Sequence, residues 1–319
     1  MIVLKRISIL ILILSPVCIL SGQQSSLYPI STWLNNPIAY NPAITGSKDF
    51  FSIDLIAGSR EDYRSQVISG NKRLLKTVPG YFSAPGYTEY SNFGAGGYIF
   101  NVKSELSHTI GIAATGSYQV KMDDSSLSYL SFGAAVRGIY NITDSISQAD
   151  PEVSSPASKT FIPDLDAGIY YYGPSFYAGF SATNIIGNLP GKDSASLYKP
   201  ESRRYNLIGG YKFVIIRNMD FVIEPSVIIS ATDTTFGDMS RNINPLLKIY
   251  FENFCIGSYF YDKDKISFFF QYNYPGIHLG AFFGLPRKSP YFKNEPTIEI
   301  SVGVNLSYWK SKPHKSYHW

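Results

Sequence analysis

The sequence predicts an all-β fold: a transmembrane antiparallel β-barrel of about fourteen strands with a short N-terminal periplasmic leader. Three observations predict it. From residue 50 onward, apolar and polar residues alternate with period two in run after run, with almost no helical period. Long polar connections alternate with tight turns, as the two rims of an outer-membrane barrel require. The composition is 15% aromatic but only 16% charged, with a mean hydropathy near zero. A helical membrane protein would be far more apolar, whereas a barrel turns half of each strand to a polar interior.

The clearest run is the last, 297–309. Ile298, Ile300, Val302, Val304, Leu306 and Tyr308 form one row; Thr297, Glu299, Ser301, Gly303, Asn305, Ser307 and Trp309 form the other. In a soluble sandwich the apolar row faces a core. In a membrane barrel it faces lipid over roughly 9–11 residues per crossing.

At the N-terminus, Lys5 and Arg6 precede the apolar run 7–14, and Ser21 and Gly22 supply small residues before a cleavage point. This is the pattern of a secretory signal peptide over 1–22. Cys18 invites a lipoprotein reading, but Val17 before it is too large for the usual lipobox. Loss of Lys5 and Arg6 takes the formal charge from +4 to +2. Nothing in that balance points to nucleic acid. Cys255 is then the single cysteine of the mature chain, read as a buried thiol that makes no internal disulfide.

Residues 23–49 form the leader or plug segment, broken at Asn36-Pro37, Asn41-Pro42 and Gly46-Ser47. Trp33, Leu34, Ile38 and Tyr40 lie between the breakers as apolar anchors. From the residues alone, the leader packs across the first strand. The barrel occupies 50–309 and a tail 310–319. In the first strand Phe51, Ile53, Leu55 and Ala57 oppose Ser52, Asp54 and Gly58. A weaker strand covers about 64–74, and Pro79-Gly80 with Pro85-Gly86 mark 75–91 as a loop. Strands follow at about 92–103, 106–121 and 126–143, the last with Arg137 on its polar face. The Pro-rich stretch 144–163 reads as a long loop. Strands at about 164–172 and 174–185 flank a Gly173-Pro174 turn, and 186–201 is again a loop. Strands at about 202–215 and 217–231 meet at Arg217-Asn218, and 232–241 is polar loop. Four short strands at about 242–251, 253–262, 265–273 and 276–285 precede loop 286–295 and the final strand.

Catalytic patterns are poor, and we expect no enzyme. His108, His278, His314 and His318 suit no metal-ligand spacing, so no metal or cofactor is expected. Gly94-Ala95-Gly96-Gly97 lacks the last glycine of a nucleotide fingerprint and a helix to follow it, and reads as a strand glycine cluster. Asp164 and Asp166, on one strand face, read as a solvated lumen or rim feature rather than an acid–base pair.

Asn36-Pro37, followed by Asn41-Pro42-Ala43-Ile44-Thr45-Gly46-Ser47, resembles the "FNP…NPAYAGS" opening of the PorP/SprF family, with Ile44-Thr45 in place of Tyr-Ala. The segments 161–172 (FIPDLDAGIYYY), 175–185 (SFYAGFSATNI), 203–206 (RRYN), 209–211 (GGY) and 224–227 (EPSV) are similar to the family in the same order. The resemblance implies an outer-membrane barrel of the type IX secretion system of Bacteroidota. It would assist secretion or surface anchoring of specific cargo, such as the adhesins used in gliding motility. Implied partners are outer-membrane lipid, the C-terminal domain of a secreted cargo protein, other secretion-system subunits and a peptidoglycan-associated periplasmic protein. The family-motif residues Asn36, Pro37, Asn41, Pro42, Ala43, Gly46 and Ser47 carry no role that the resemblance assigns. The alternative from a different class is an outer-membrane diffusion channel or hydrophobic-solute transporter, which ion conductance in a planar bilayer would distinguish.

Overall fold

The computed structural model describes residues 30–48, 50–60, 63–78, 87–104, 107–123, 128–143, 158–186, 203–216, 220–232, 242–261, 265–274, 276–286 and 296–306. The expected signal peptide 1–22, the tail 310–319, Tyr308, Trp309 and most of each long loop lie outside these residues.

The strands are β1 (Phe51–Arg60), β2 (Tyr63–Val78), β3 (Tyr87–Ser104), β4 (Ser107–Asp123), β5 (Ser128–Thr143), β6 (Ser158–Tyr172) and β7 (Phe176–Thr183). They continue as β8 (Arg204–Tyr211, resuming at Phe213–Ile216), β9 (Phe221–Thr232), β10 (Ile243–Phe251), β11 (Phe254–Tyr261), β12 (Lys265–Tyr274), β13 (Ile277–Pro286) and β14 (Thr297–Leu306). Each pairs antiparallel with the next, and β14 returns to β1 with Leu55 opposite Val302 and Ile53 opposite Val304. The sheet is therefore a closed fourteen-stranded barrel with no free edge.

Pairing and proline chemistry set the strand bounds. The two segments of β8 both run along β9 and are separated by Lys212, whose N–H donates to the Ser175 carbonyl at 2.8 Å. Pro225 of β9 lies over that interruption, where its missing N–H leaves no ladder bond unmade. Two expected loops are shorter than the sequence reading gave. β2 runs to Val78 and β3 starts at Tyr87, with Val78 opposite Tyr87, so the connection is 79–86 rather than 75–91. An irregularity between Arg73 and Leu75 shifts the register there and hides the period-two pattern. Likewise β6 begins at Ser158, inside the expected loop 144–163. Pro163 is tolerated because it pairs only with Gly138 of β5, while β6–β7 pairing starts at Ala167.

Ile298, Ile300, Val302, Val304 and Leu306 are exposed on the outside, while Glu299 and Ser301 are buried within. Ile110, Ile112, Tyr118 and Val120 of β4 repeat the pattern against buried Thr109, Thr115, Ser117 and Gln119. The exposed row is the lipid face, which strands, not helices, carry across the membrane; no described helix is long and apolar enough to cross one. The lumen is more apolar than the polar row of β14 suggests. Val67, Tyr98, Phe100, Ile139, Ile228, Leu246 and Phe282 point inward and form one buried cluster with Trp33, Ile38 and Ile44 of the leader.

At one end of the barrel lie the β5–β6, β7–β8, β9–β10 and β13–β14 connections (144–157, 184–203, 233–242 and 287–296), with three tight turns between them. The other end has connections no longer than 79–86 and holds the start of β1 and the end of β14. We call these the loop end and the turn end.

Candidate functional site

The leader enters at the turn end and lies inside the barrel. Its described residues begin with helix α1 (Ile30–Asn35) and then make two 3₁₀ turns, Pro37–Ala39 and Pro42–Ile44. Each turn opens on an Asn-Pro pair. Asn caps and Pro occupies the first helical position, where its lost N–H costs nothing. Asn41 folds its Oδ1 back to accept from the Ala43 N–H at 3.0 Å. Gly46 ends the second turn with φ +69°, a left-handed conformation that suits glycine. Such short turns leave backbone carbonyls unbonded within the segment, and these must find partners where the segment is buried.

The barrel wall supplies them. The Tyr40 carbonyl accepts from Ser181 Oγ at 2.5 Å and Asn206 Nδ2 at 3.2 Å. The Ala43 carbonyl accepts from Ser131 Oγ at 2.6 Å. The Thr45 carbonyl accepts from Ser117 Oγ at 2.6 Å and Gln119 Nε2 at 3.1 Å, and Thr45 Oγ1 donates to Thr115 Oγ1 at 2.9 Å. Asn41 Nδ2 donates to the Ile169 carbonyl at 3.1 Å. Bare glycines let the backbones meet. A Cβ on Gly94, Gly133 or Gly168 would strike Thr45, Ala43 or Asn41 respectively, so the strand glycine cluster of β3 has a packing reason. Of the apolar anchors, Trp33 and Ile38 are buried and Leu34 and Tyr40 half-buried, with Trp33 edge-on to Tyr40 at 5.2 Å between ring centroids.

The family-motif residues are thus brought together. Asn36, Asn41, Pro42, Ala43 and Gly46 are buried in the lumen, and Pro37 and Ser47 are half-buried. They do not pack across the first strand alone: 42–44 sits against β4, β5 and β6, and α1 against β1, β13 and β14. The wall partners Ser117, Gln119, Ser131, Ser181 and Asn206 looked in sequence like ordinary inward polar positions. Their one signal is that two of them, Ser181 and Asn206, fall within the segments similar to the family.

Two buried charge clusters brace the wall around the leader. Arg137 of β5 reaches Asp164 at 3.0 Å and Asp166 at 3.1 Å on β6, and its guanidinium also bonds Asn184. The aspartates are 3% exposed, which corrects the solvated reading. Across the lumen, Glu224 accepts from Tyr177 at 2.7 Å and Tyr250 at 3.1 Å and pairs with Lys248 at 2.5 Å. His278 and Asp54 meet at 2.7 Å between β13 and β1. His108 bonds Asn101 at 2.7 Å, and Cys255 is a buried free thiol. Among the described residues no group of His, Cys, Asp and Glu is placed to hold a metal. These are structural pairings; none presents a nucleophile beside a base.

A closed barrel with an apolar belt outside, and its own N-terminal segment bonded across the lumen, defines an outer-membrane β-barrel protein. The chain belongs to the PorP/SprF family of type IX secretion system membrane proteins, whose family model matches residues 22–304. None of the curated proteins compared with the chain matches it. Among solved structures, it is similar to the NanC porin (10% identity, 80% of this chain and 100% of that one, TM-score 0.40). It is also similar to the KdgM porin (10%, 79% and 98%, 0.32) and to BamA from Haemophilus ducreyi lacking POTRA domains 1-3 (13%, 81% and 71%, 0.39). At TM-scores below 0.5 the barrel rests on this chain's own strand pairing.

Proposed function

We propose that this chain is a non-enzymatic component of the type IX secretion system that assists the secretion or cell-surface anchoring of specific cargo proteins such as adhesins. The observation that carries this reading is family membership across 22–304, in a membrane barrel that works with secretion-system components. With the leader in place, residues 31–46 fill space that an open diffusion channel leaves to solute, which supports a binding role. Four long connections gather at the loop end, and loops on a rigid scaffold are where recognition usually resides. In this reading the loop end faces outward and engages the C-terminal domain of the cargo. The turn end faces the periplasm, toward other secretion subunits and a peptidoglycan-associated partner, with residues 1–22 cleaved as a signal peptide. The test is a deletion strain whose surface and medium proteomes are compared with the parent's. A small set of surface proteins should be lost from the surface or accumulate elsewhere while general secretion continues. Unchanged proteomes with altered uptake of a small solute would replace this reading with the transporter one.

A further inference from the structure

The two halves of the leader are held very differently. On residues 40–45, every bond named above between a leader carbonyl and a wall side chain is direct. On α1 the Ser31 N–H donates to Glu299 Oε2 at 2.7 Å, and Gln271 Nε2 donates to Asn35 Oδ1 at 2.9 Å. Other polar atoms here are buried without a hydrogen-bond partner among the described residues. On the leader these are Ser31 Oγ, Thr32 Oγ1, Asn35 Nδ2 and both side-chain polar atoms of Asn36; on the strands that α1 packs against, they are Asp54 Oδ2 of β1 and Ser301 Oγ and Asn305 Oδ1 of β14. All of these residues except Asn305 are at least nine-tenths buried.

A buried polar group left without a partner destabilises the contact that buries it, by an amount comparable to a hydrogen bond's own worth. Here such groups lie on both sides of one contact, while the neighbouring contact is satisfied. Partners for them come from water or from an incoming polar ligand. A six-residue helix also has little stability of its own once its contact loosens.

We propose that the leader is a two-part plug: residues 40–47 are its fixed anchor, and α1 is a releasable gate that admits water and small cations along the β13–β14–β1 side of the lumen. Cations are the class that fits, because among the described residues Glu299 and Asp54 place carboxylates on that side, and the imidazole of His278 already sits against one of them. Release of α1 opens the acidic face without dislodging the anchor. This inference goes beyond the cargo reading and does not depend on it, since it concerns the lumen alone.

The test uses the full chain with Cys18→Ser and Cys255→Ser, in native outer membranes. Single cysteines report the gate (Ser31→Cys, Ser301→Cys) or the anchor (Ser117→Cys, Ser131→Cys). All four are the same near-isosteric change at serines 6% exposed or less. Heat-modifiable gel mobility verifies that each barrel is folded, and two positions on each side guard against the loss of one. Membrane-impermeant thiosulfonates of either charge are then applied. The gate positions should react about tenfold faster than the anchor positions, the ratio that one hydrogen bond's difference in opening free energy produces. At the gate positions the cationic reagent should outpace the anionic one. Equal protection at all four positions would overturn the gate. Equal reaction at all four would mean that the leader leaves as one piece, which overturns the division into gate and anchor. A faster anionic reagent would overturn the cation assignment.

Discussion

Gly133 of β5 and Ala43 of the leader fit only because Gly133 has no side chain: a Cβ there would fall on the Ala43 backbone. Gly94 stands in the same relation to the Thr45 backbone, and a Cβ on Gly168 would fall on the Asn41 side chain. Glycine in a strand interior is usually a weakness, but here Gly133 and Gly94 let leader carbonyls reach wall hydroxyls and an amide, and Gly168 lets the Asn41 side-chain amide reach the Ile169 carbonyl.

This relation gives the first prediction. Gly133→Val should force the second 3₁₀ turn off the wall, breaking the bond from Ser131 to Ala43 and overpacking the lumen at a cost of about 1–3 kcal/mol. Gly116→Ala, whose new Cβ on the lipid face would meet the Gly94 carbonyl oxygen at an ordinary 3.9 Å, should stay within about 0.5 kcal/mol of the parent. Urea unfolding in detergent, followed by heat-modifiable mobility, measures both. Equal stability of the two variants would mean that the leader does not occupy the lumen in the folded protein.

The second prediction concerns Arg137. Removing it by Arg137→Ala takes away the guanidinium that both buried aspartates bond, a loss of about 3–5 kcal/mol. Adding Asp164→Asn and Asp166→Asn to that variant should recover part of the loss, because neutral amides tolerate burial without the guanidinium better than carboxylates do. A triple variant no more stable than Arg137→Ala would assign the effect to lost packing of the arginine stem.

The third prediction separates the two faces of β14. Val302→Arg puts a cation on the lipid face and should cost about 2–4 kcal/mol if the site lies near the midplane. It should leave the leader as resistant to protease as in the parent. Ser301→Arg points inward, where a water-filled lumen would accept it; here Ser301 is 1% exposed on a strand that α1 packs against. It should displace α1 and open 31–36 to cleavage while the barrel band survives. N-terminal sequencing of the cut fragments reads the difference.

The strands were legible because the lipid face imposes a strict chemical demand. One row of each strand must be apolar, and β4, β5 and β14 show this without interruption. Legibility fails where that demand is locally relieved. The irregularity after Arg73 broke the alternation of β2, and Pro163 looked like a loop residue until its partnerless side explained it. The lumenal contacts were not legible at all. Ser131 and Ser181 look like any inward polar position, and only the fold brings them to the carbonyls of residues 40–43, far away in the chain. The motif residues Asn41, Pro42, Ala43 and Gly46 stood out in sequence, but what they touch is set by barrel closure.

The last prediction is the orientation of the barrel. Both the start of β1 and the end of β14 lie at the turn end, and the described leader residues run from the start of β1 into the lumen. In outer-membrane barrels the short turns face the periplasm and the long loops face outward. Short epitope tags placed in 144–157, 187–202, 233–241 or 287–295 should therefore bind antibody on intact cells. A tag at Gly173 should not, because Gly173 sits in the tight β6–β7 turn, with its N–H bonded to the Phe176 carbonyl at 2.9 Å. The Gly173 tag should become reactive once the outer membrane is permeabilised, which shows that the tag is intact and only screened. Labelling at Gly173 on intact cells, with silence at the four loops, would invert the barrel. It would also move the leader's entrance to the cell surface and require cargo to be met from the periplasmic side.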